Sequence, residues 1–262
     1  MLLRQDIWPK LRRSHGQSGN WKGQDVHLLS DPGAFPPTPP PSVTDLDAIA
    51  EHDWTAFDAV DEMINHWDRP GWSDSTRAYY WMITVPPEAP LVSQAQDCQR
   101  QLSHLGFDEI AEDGLHLTLA RVGLVGEVNA GQLEHLVTTA TESLPAAFSL
   151  VAVPLTASRG ALRYSVGPWN PVLELHAALS LAGLQIGLPP RKPTGLLRPH
   201  IGIAYSNRRR SSAPVREALG PLRQMPAVSV TISDVHLVEL RRERRAYQWR
   251  VVHTLPLGPQ PR

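Results

Sequence analysis

Apolar and polar residues alternate along two short runs, Leu115-His116-Leu117-Thr118-Leu119 and Pro199-His200-Ile201-Gly202-Ile203. A period of two predicts strands, with His116 and Thr118 on one face and Leu115, Leu117 and Leu119 on a buried opposite face. In the second run Arg198, His200 and Gly202 share a face, and Pro199, Ile201 and Ile203 share the other. Each run closes a similar strand-helix-strand pattern. In the first half a strand from Tyr79 to Val85 leads into a helix from Leu91 to Leu105. Leu91, Ala95, Cys98, Leu102 and Leu105 form the apolar stripe of that helix, and Gly106 stops it. The turn Glu112-Asp113-Gly114 then precedes the His116 strand. A middle helix from Asn129 to Leu144 carries a capping-box pattern at Asn129 and Gln132 and is ended by Pro145. The second half predicts strands over Phe148 to Val153 and Ala161 to Val166, then a helix capped by Asn170 with Pro171 at its first position. A Pro-rich basic loop, Pro189-Pro190-Arg191-Lys192-Pro193, leads to the His200 strand. Tyr79 and His116 are 37 residues apart and Ala161 and His200 are 39 apart, which argues for an internal duplication. A helix over 214–222 and a hairpin of 228–240 with 246–255 complete the pattern, with the basic tip Arg241-Arg242-Glu243-Arg244-Arg245.

The N-terminal part lacks this regularity. Residues 1–44 hold a proline cluster from Pro32 to Pro41, which favours extended solvated backbone and predicts a flexible tail. Trp8 and Trp21 lie in it and admit a docking role. Phe57, Val60, Ile64 and Trp67 recur at spacings of three and four, predicting one amphipathic helix over 45–67 that Asp68-Arg69-Pro70-Gly71 stops. Its acidic residues read as a solvated face. The expected organisation is a tail over 1–44, a helical extension over 45–76, a two-lobed α+β unit over 77–257 and a short tail over 258–262.

Composition changes this picture little. The 262 residues are 42% hydrophobic and 19% charged with a net charge of -1, which gives no global attraction to nucleic acid. Contact with RNA must then come from a local patch, for which Arg208-Arg209-Arg210 and the hairpin tip are candidates. The single cysteine, Cys98, excludes an internal disulfide and a cysteine zinc site, and on its helical stripe it reads as core. Neither a membrane-length apolar run nor a signal core is present, so a cytoplasmic monomer is the expectation. The sequence has no phosphate-binding loop, dinucleotide fingerprint or nucleophile elbow.

The chemistry rests on His116 and His200. Two imidazoles facing each other across a cleft can serve as general base and general acid near neutrality. Leu115-His116-Leu117-Thr118-Leu119 and Arg198-Pro199-His200-Ile201-Gly202-Ile203-Ala204-Tyr205 resemble the paired motifs of the two-histidine (2H) phosphoesterases, in particular the 2′-5′ RNA ligase and cyclic phosphodiesterase branch. The resemblance covers about residues 77–257. It implies two antiparallel sheets related by a pseudo-twofold axis, with one His-x-Thr/Ser motif on each side of a cleft. It also implies cleavage of 2′,3′-cyclic phosphates or 2′,5′-linked nucleotides, on RNA ends or small nucleotides, without metal or other cofactor. His116 and His200 would then be catalytic, with the Thr118 hydroxyl on a non-bridging phosphate oxygen.

This sequence departs from the motif at Gly202, where the family pattern has Ser or Thr. Loss of one such donor costs on the order of 10²- to 10³-fold. Arg198, Lys192, Ser206 or a water in the space left by the hydroxyl are candidate replacements, and a glycine there also suits a bulkier substrate. Tyr205 reads either as a base-stacking ring or as core. Two other readings stay open. One is a weak or inactive RNA- or nucleotide-binding module on the same fold. The other is a metallohydrolase using His116, His200 and Asp113, for which no supporting ligand motif exists.

Overall fold

Both histidine runs form strands, each in its own antiparallel sheet. The computed structural model describes residues 35–189 and 192–259. Along the chain lie α1 (Leu46–Asp58), β1 (Glu62–Met63), β2 (Arg77–Thr84), α2 (Pro90–Leu102), β3 (Asp108–Glu109), β4 (His116–Leu124) and α3 (Ala130–Thr141). The second half adds β5 (Phe148–Ser158), β6 (Ala161–Gly167), α4 (Asn170–Gln185), β7 (His200–Tyr205), β8 (Arg210–Ser211) and α5 (Ala213–Leu222). The chain closes with β9 (Val228–Ile232), β10 (Asp234–Glu243) and β11 (Ala246–Pro256). One sheet has the order β11-β10-β2-β4, the other β3-β7-β6-β5-β9, and β1 and β8 form a separate pair.

Helices from each half cross to the other half's sheet. The α2 helix follows β2 in sequence but packs on β7 and β9, whereas α4 follows β6 and packs on β4. Leu91, Ala95, Cys98 and Leu102 are buried along α2, as its stripe predicts, and the Cys98 thiol lies 3.8 Å from the Tyr164 hydroxyl. Burial pushes that thiol up, so Cys98 stays an uncharged core group. The α3 capping box forms with both reciprocal bonds, Asn129 to the Gln132 amide and Gln132 to the Asn129 amide. The exchange of helices locks the two lobes into one core.

Three expectations are revised. The helix expected over 45–67 ends at Asp58, because Met63 is buried by pairing with Arg210 and Ile64 donates to the Arg159 carbonyl. The strand expected over 228–240 is two strands: β9 pairs with β5 in one sheet and β10 with β2 in the other, with the crossing at Ser233. Asn170 does not cap α4; the cap position is Trp169, with no side-chain bond. At the C-terminus Gly258 belongs to the fold, accepting from the Ala147 amide and donating to the Pro145 carbonyl. Pro190 and Arg191 of the basic loop lie outside the described residues, as do Trp8 and Trp21.

The N-terminal segment is part of the structure. Residues 35–44 are docked, with Pro36 and Pro40 buried and the Val43 carbonyl accepting from the Trp169 amide. The α1 helix buries Ile49, Asp53 and Phe57 against β5 and β6, on the same face of the sheet that carries Arg163 and Ser165. Gly167 makes the approach possible: a Cβ there would come within 2.7 Å of Leu46 and 2.8 Å of Ile49. Asp53 then reaches the Arg163 guanidinium at 2.9 Å and the Ser165 hydroxyl at 2.6 Å. Burial alone would raise the Asp53 carboxyl, but Arg163 and Ser165 outweigh it and hold the group below the usual carboxylate range.

With both side chains about 2–3% exposed, breaking this pair leaves a buried charge without its partner. Asp53→Asn should therefore cost about 3–5 kcal/mol at pH 7, read by chemical denaturation. Since the folded carboxyl sits below its unfolded value of about 3.9, the pair contributes fully above that pH and is lost as pH falls. The gap between wild type and variant should narrow toward pH 3.

Candidate active site

His116 and His200 occupy equivalent positions at the first residue of β4 and of β7, and the two strands pack together at the seam between the sheets. Their imidazoles are oriented by the same local device. The Nδ1 of His116 lies 2.8 Å from the Gly114 carbonyl, and that of His200 lies 2.7 Å from the Arg198 carbonyl. A carbonyl only accepts, so Nδ1 carries the proton in both rings and Nε2 is the basic nitrogen. Both rings are half-buried and lie close enough for a charge on His116 to disfavour one on His200.

The two environments differ. Burial pushes His116 below its ordinary value of 6.5, partly offset by the Gly114 carbonyl. His200 is pushed down to about 3, first by burial and then by the Arg163 guanidinium, against partial compensation from the Arg198 carbonyl and Asp53. Phe35 packs beside His200, its ring 4.7 Å from the imidazole and 5.1 Å from the Arg163 guanidinium. The His116 side is more open. There a pocket of about 600 Å³, including its mouth, is lined by His116, Tyr205, Tyr247, Trp249 and Arg245, with Glu109 and Asp113 at its edge.

Thr118 stands half-buried two residues beyond His116 on the same face, as the alternation predicts. Arg198 is turned elsewhere. Its guanidinium donates to the carbonyls of Pro36, Pro37, Gly195 and Leu197, at 2.9–3.2 Å, and is buried. It reaches His200 through its own backbone carbonyl. Ser206 is likewise committed, its hydroxyl donating to the Arg208 carbonyl. Tyr205 is both core and wall: it is buried, stacks on His66 at 4.1 Å and faces the pocket. Tyr247 is held by His66, which accepts from Arg69 at Nδ1 and meets the Tyr247 hydroxyl at 3.1 Å through Nε2. Burial and the charges of Arg69 and Arg242 keep His66 well below its ordinary value, so this prop stays neutral.

The basic runs are largely structural. Arg242 donates to the carbonyls of Trp67 and Trp72, Arg209 pairs with Glu62, and Arg210 lies over Phe107 while bonding Leu105 and Asn207. Among the described residues, no group of three or more His, Cys, Asp or Glu side chains is placed to hold a metal ion. Sequence reasoning missed Phe35, Asp53, Arg163, Tyr247 and Trp249. For the last two a signal existed, since Tyr247 and Trp249 alternate along one face of the strand behind the basic tip.

The space beside Gly202 is not open. A Cβ at Gly202 would lie 3.2 Å from Ile110 Cδ1, and one at Gly114 would lie 2.9 Å from Ile110 Cγ2. Ile110 is thus wedged between the two histidine motifs. It is fixed by its amide on the Ile203 carbonyl and by Gln99, which donates to the carbonyls of both Ile110 and Ile203. This corrects the expectation of a water or a bulky substrate in the place of the missing hydroxyl. Gly202→Thr should destabilise the fold by about 1–3 kcal/mol through overpacking. Adding Ile110→Val, which deletes the Cδ1 in the way, should recover most of that loss in urea denaturation.

A family model of the 2′-5′ RNA ligase superfamily matches residues 86–244. Among solved structures, the apo form of E. coli LigT is 17% identical, with 70% of this chain and 98% of that chain covered at a TM-score of 0.52. E. coli LigT complexed with 3′-AMP is 18% identical, with coverage of 70% and 99% and a TM-score of 0.51. TT0787 of Thermus thermophilus is 14% identical, with coverage of 70% and 100% and a TM-score of 0.52. No curated protein sequence matches. These structures share the fold of two antiparallel sheets, and the family match extends over more than half of the sequence, through β4 and β7 with their histidines. The chain therefore belongs to the 2′-5′ RNA ligase superfamily, among the two-histidine phosphoesterases.

Proposed function

We propose that the protein is a phosphodiesterase acting on 2′,3′-cyclic phosphates or 2′,5′-linked nucleotides, with His116 and His200 as its acid-base pair and no metal required. The carrying observation is the matched orientation of the two imidazoles, each fixed through Nδ1 by the carbonyl two residues earlier. Opening a cyclic phosphate needs one proton removed from an attacking water as its oxygen bonds to phosphorus. It needs another proton delivered to the ribose oxygen as the opposite P–O bond breaks. Two imidazoles on either side of one phosphoryl group would supply both transfers, each worth on the order of 10²- to 10⁴-fold.

We assign the roles from the surroundings: His200, pushed down to about 3 by burial and by Arg163, stays unprotonated and acts as the base, which leaves His116, whose proton affinity burial also lowers, as the acid. Thr118 donates to a non-bridging oxygen on the His116 side. On the other side Gly202 brings no hydroxyl, and the fixed positive charge comes from Arg163, its cross-strand partner, whose buried Nε has no partner of its own. The side-chain roles first considered for Arg198 and Ser206 are replaced by this one. Tyr205, Tyr247 and Trp249 offer rings for a nucleobase next to His116, in keeping with the nucleotide bound by LigT.

A second reading, a binding module with little turnover, is favoured by Gly202 and by the cover over His200. Turnover of 2′,3′-cyclic mononucleotides separates the two. His116→Ala and His200→Ala should each abolish nearly all of it while leaving the thermal transition in place, and the double variant should be little worse than either. EDTA should leave the rate unchanged. The pH profile of kcat/KM should fall as pH rises through the His116 range, below 6.5, and hold toward acid until His200 protonates near 3. An optimum above neutrality would contradict the lowered proton affinities on which the assignment of acid and base rests.

A further inference from the structure

The surroundings of the two histidines differ, and the element that packs against His200 lies outside the duplicated unit. Phe35 covers a face of the His200 ring at 4.7 Å. Its backbone neighbours are anchored, because the buried Arg198 donates to the Pro36 carbonyl at 3.2 Å and to the Pro37 carbonyl at 3.0 Å. Behind the strap, α1 covers the rest of this sheet face through the Asp53–Arg163 pair and the contacts of Leu46 and Ile49 on Gly167. Beside His116, in contrast, the pocket between Tyr205, Tyr247 and Trp249 is open to solvent.

From this asymmetry we infer that the strap at Phe35–Pro37 selects substrates carrying a nucleoside on one side of the scissile phosphate only, 2′,3′-cyclic phosphates, and excludes 2′,5′-linked dinucleotides. The inference rests on the phosphodiesterase reading above and narrows it. In-line displacement places the incoming and departing oxygens on opposite sides of phosphorus. With the nucleoside in the pocket, the departing ribose oxygen faces His116, and the His200 side has to admit only a water. A 2′,5′-diester cleaved by attack of its own 3′-hydroxyl, the 5′-oxygen of the second nucleoside departing as the 2′,3′-cyclic phosphate forms, has a nucleoside on each in-line side of phosphorus. One of them therefore has to lie on the His200 side, where the Phe35 ring stands. The depressed proton affinity of His200 agrees with its being the ring that faces the attacking water.

The test compares kcat/KM for a 2′,3′-cyclic mononucleotide and a 2′,5′-linked dinucleotide on the full chain and on Phe35→Ala. The wild type should prefer the cyclic substrate, and the variant should shift the ratio toward the dinucleotide by about tenfold or more. Phe35→Leu, which keeps bulk, should retain most of the preference; Phe35→Val, a smaller trimming, carries the same test if the alanine variant does not fold. Equal cleavage of both substrates by the wild type would overturn the inference while leaving the phosphodiesterase reading intact. An equal rise on both in Phe35→Ala would also overturn it, making the strap a general lid. A wild type that cleaves neither would overturn the phosphodiesterase reading, and the inference with it.

Discussion

A guanidinium buried on the face of a sheet that carries His200 is the constraint around which this structure is arranged. Arg163 lies on β6 across from Gly202, at 2% exposure, and cannot remain charged there without a carboxylate. That carboxylate is Asp53, and it comes from a helix outside the two repeated halves. Bringing Asp53 into place brings α1 onto the face, requires a bare backbone at Gly167, and lays the preceding strap over His200. The N-terminal region is therefore tied to the candidate site by an electrostatic need in the sheet.

The duplication visible in the sequence persists in the backbone and fails in the side chains. Each histidine opens a strand and bonds the carbonyl two residues before it, a geometry that any extended residue ahead of the strand can provide. Thr118 has no counterpart because Ile110 needs the space between Gly114 and Gly202. Ile110 is held by three hydrogen bonds involving its backbone or its neighbours on β7, so a hydroxyl at 202 would conflict with a fixed apolar wedge. Packing at the seam thus accounts for the departure from the family motif.

What could be read from the sequence followed from short-range periodicity. Alternation located β4 and β7 and the shared face of His116 and Thr118, and three-four spacing located α2 with Cys98 in its core. Features that depend on pairing partners far away in the chain were not legible. Nothing within 45–67 announces that Met63 will pair with Arg210, so an amphipathic spacing there overextended the helix. The run through Ser233 reads as one strand because each half has its own apolar alternation, although the halves belong to different sheets. The proline-rich segment reads as solvated, since proline favours extended backbone; its docking depends on Arg198, 161 or more residues away, donating to carbonyls that proline leaves free.

The same separation between local pattern and distant partner makes the two imidazole rings unequal. Within the duplicated unit His116 and His200 have the same tautomer, the same acceptor and the same place on a strand. Their surroundings diverge: Phe35 packs against His200 from outside that unit, Arg163 on β6 opposes a second positive charge, and Asp53 returns only part of that cost. On the His116 side the neighbour is Trp249, edge-on at 5.1 Å, beside a pocket that solvent still reaches. An acid and a base need different proton affinities to act together at one pH. In a fold built from two similar halves, such a difference has to come from what departs from the repeat, and around His200 the departures are the buried Arg163 guanidinium and the Phe35 ring.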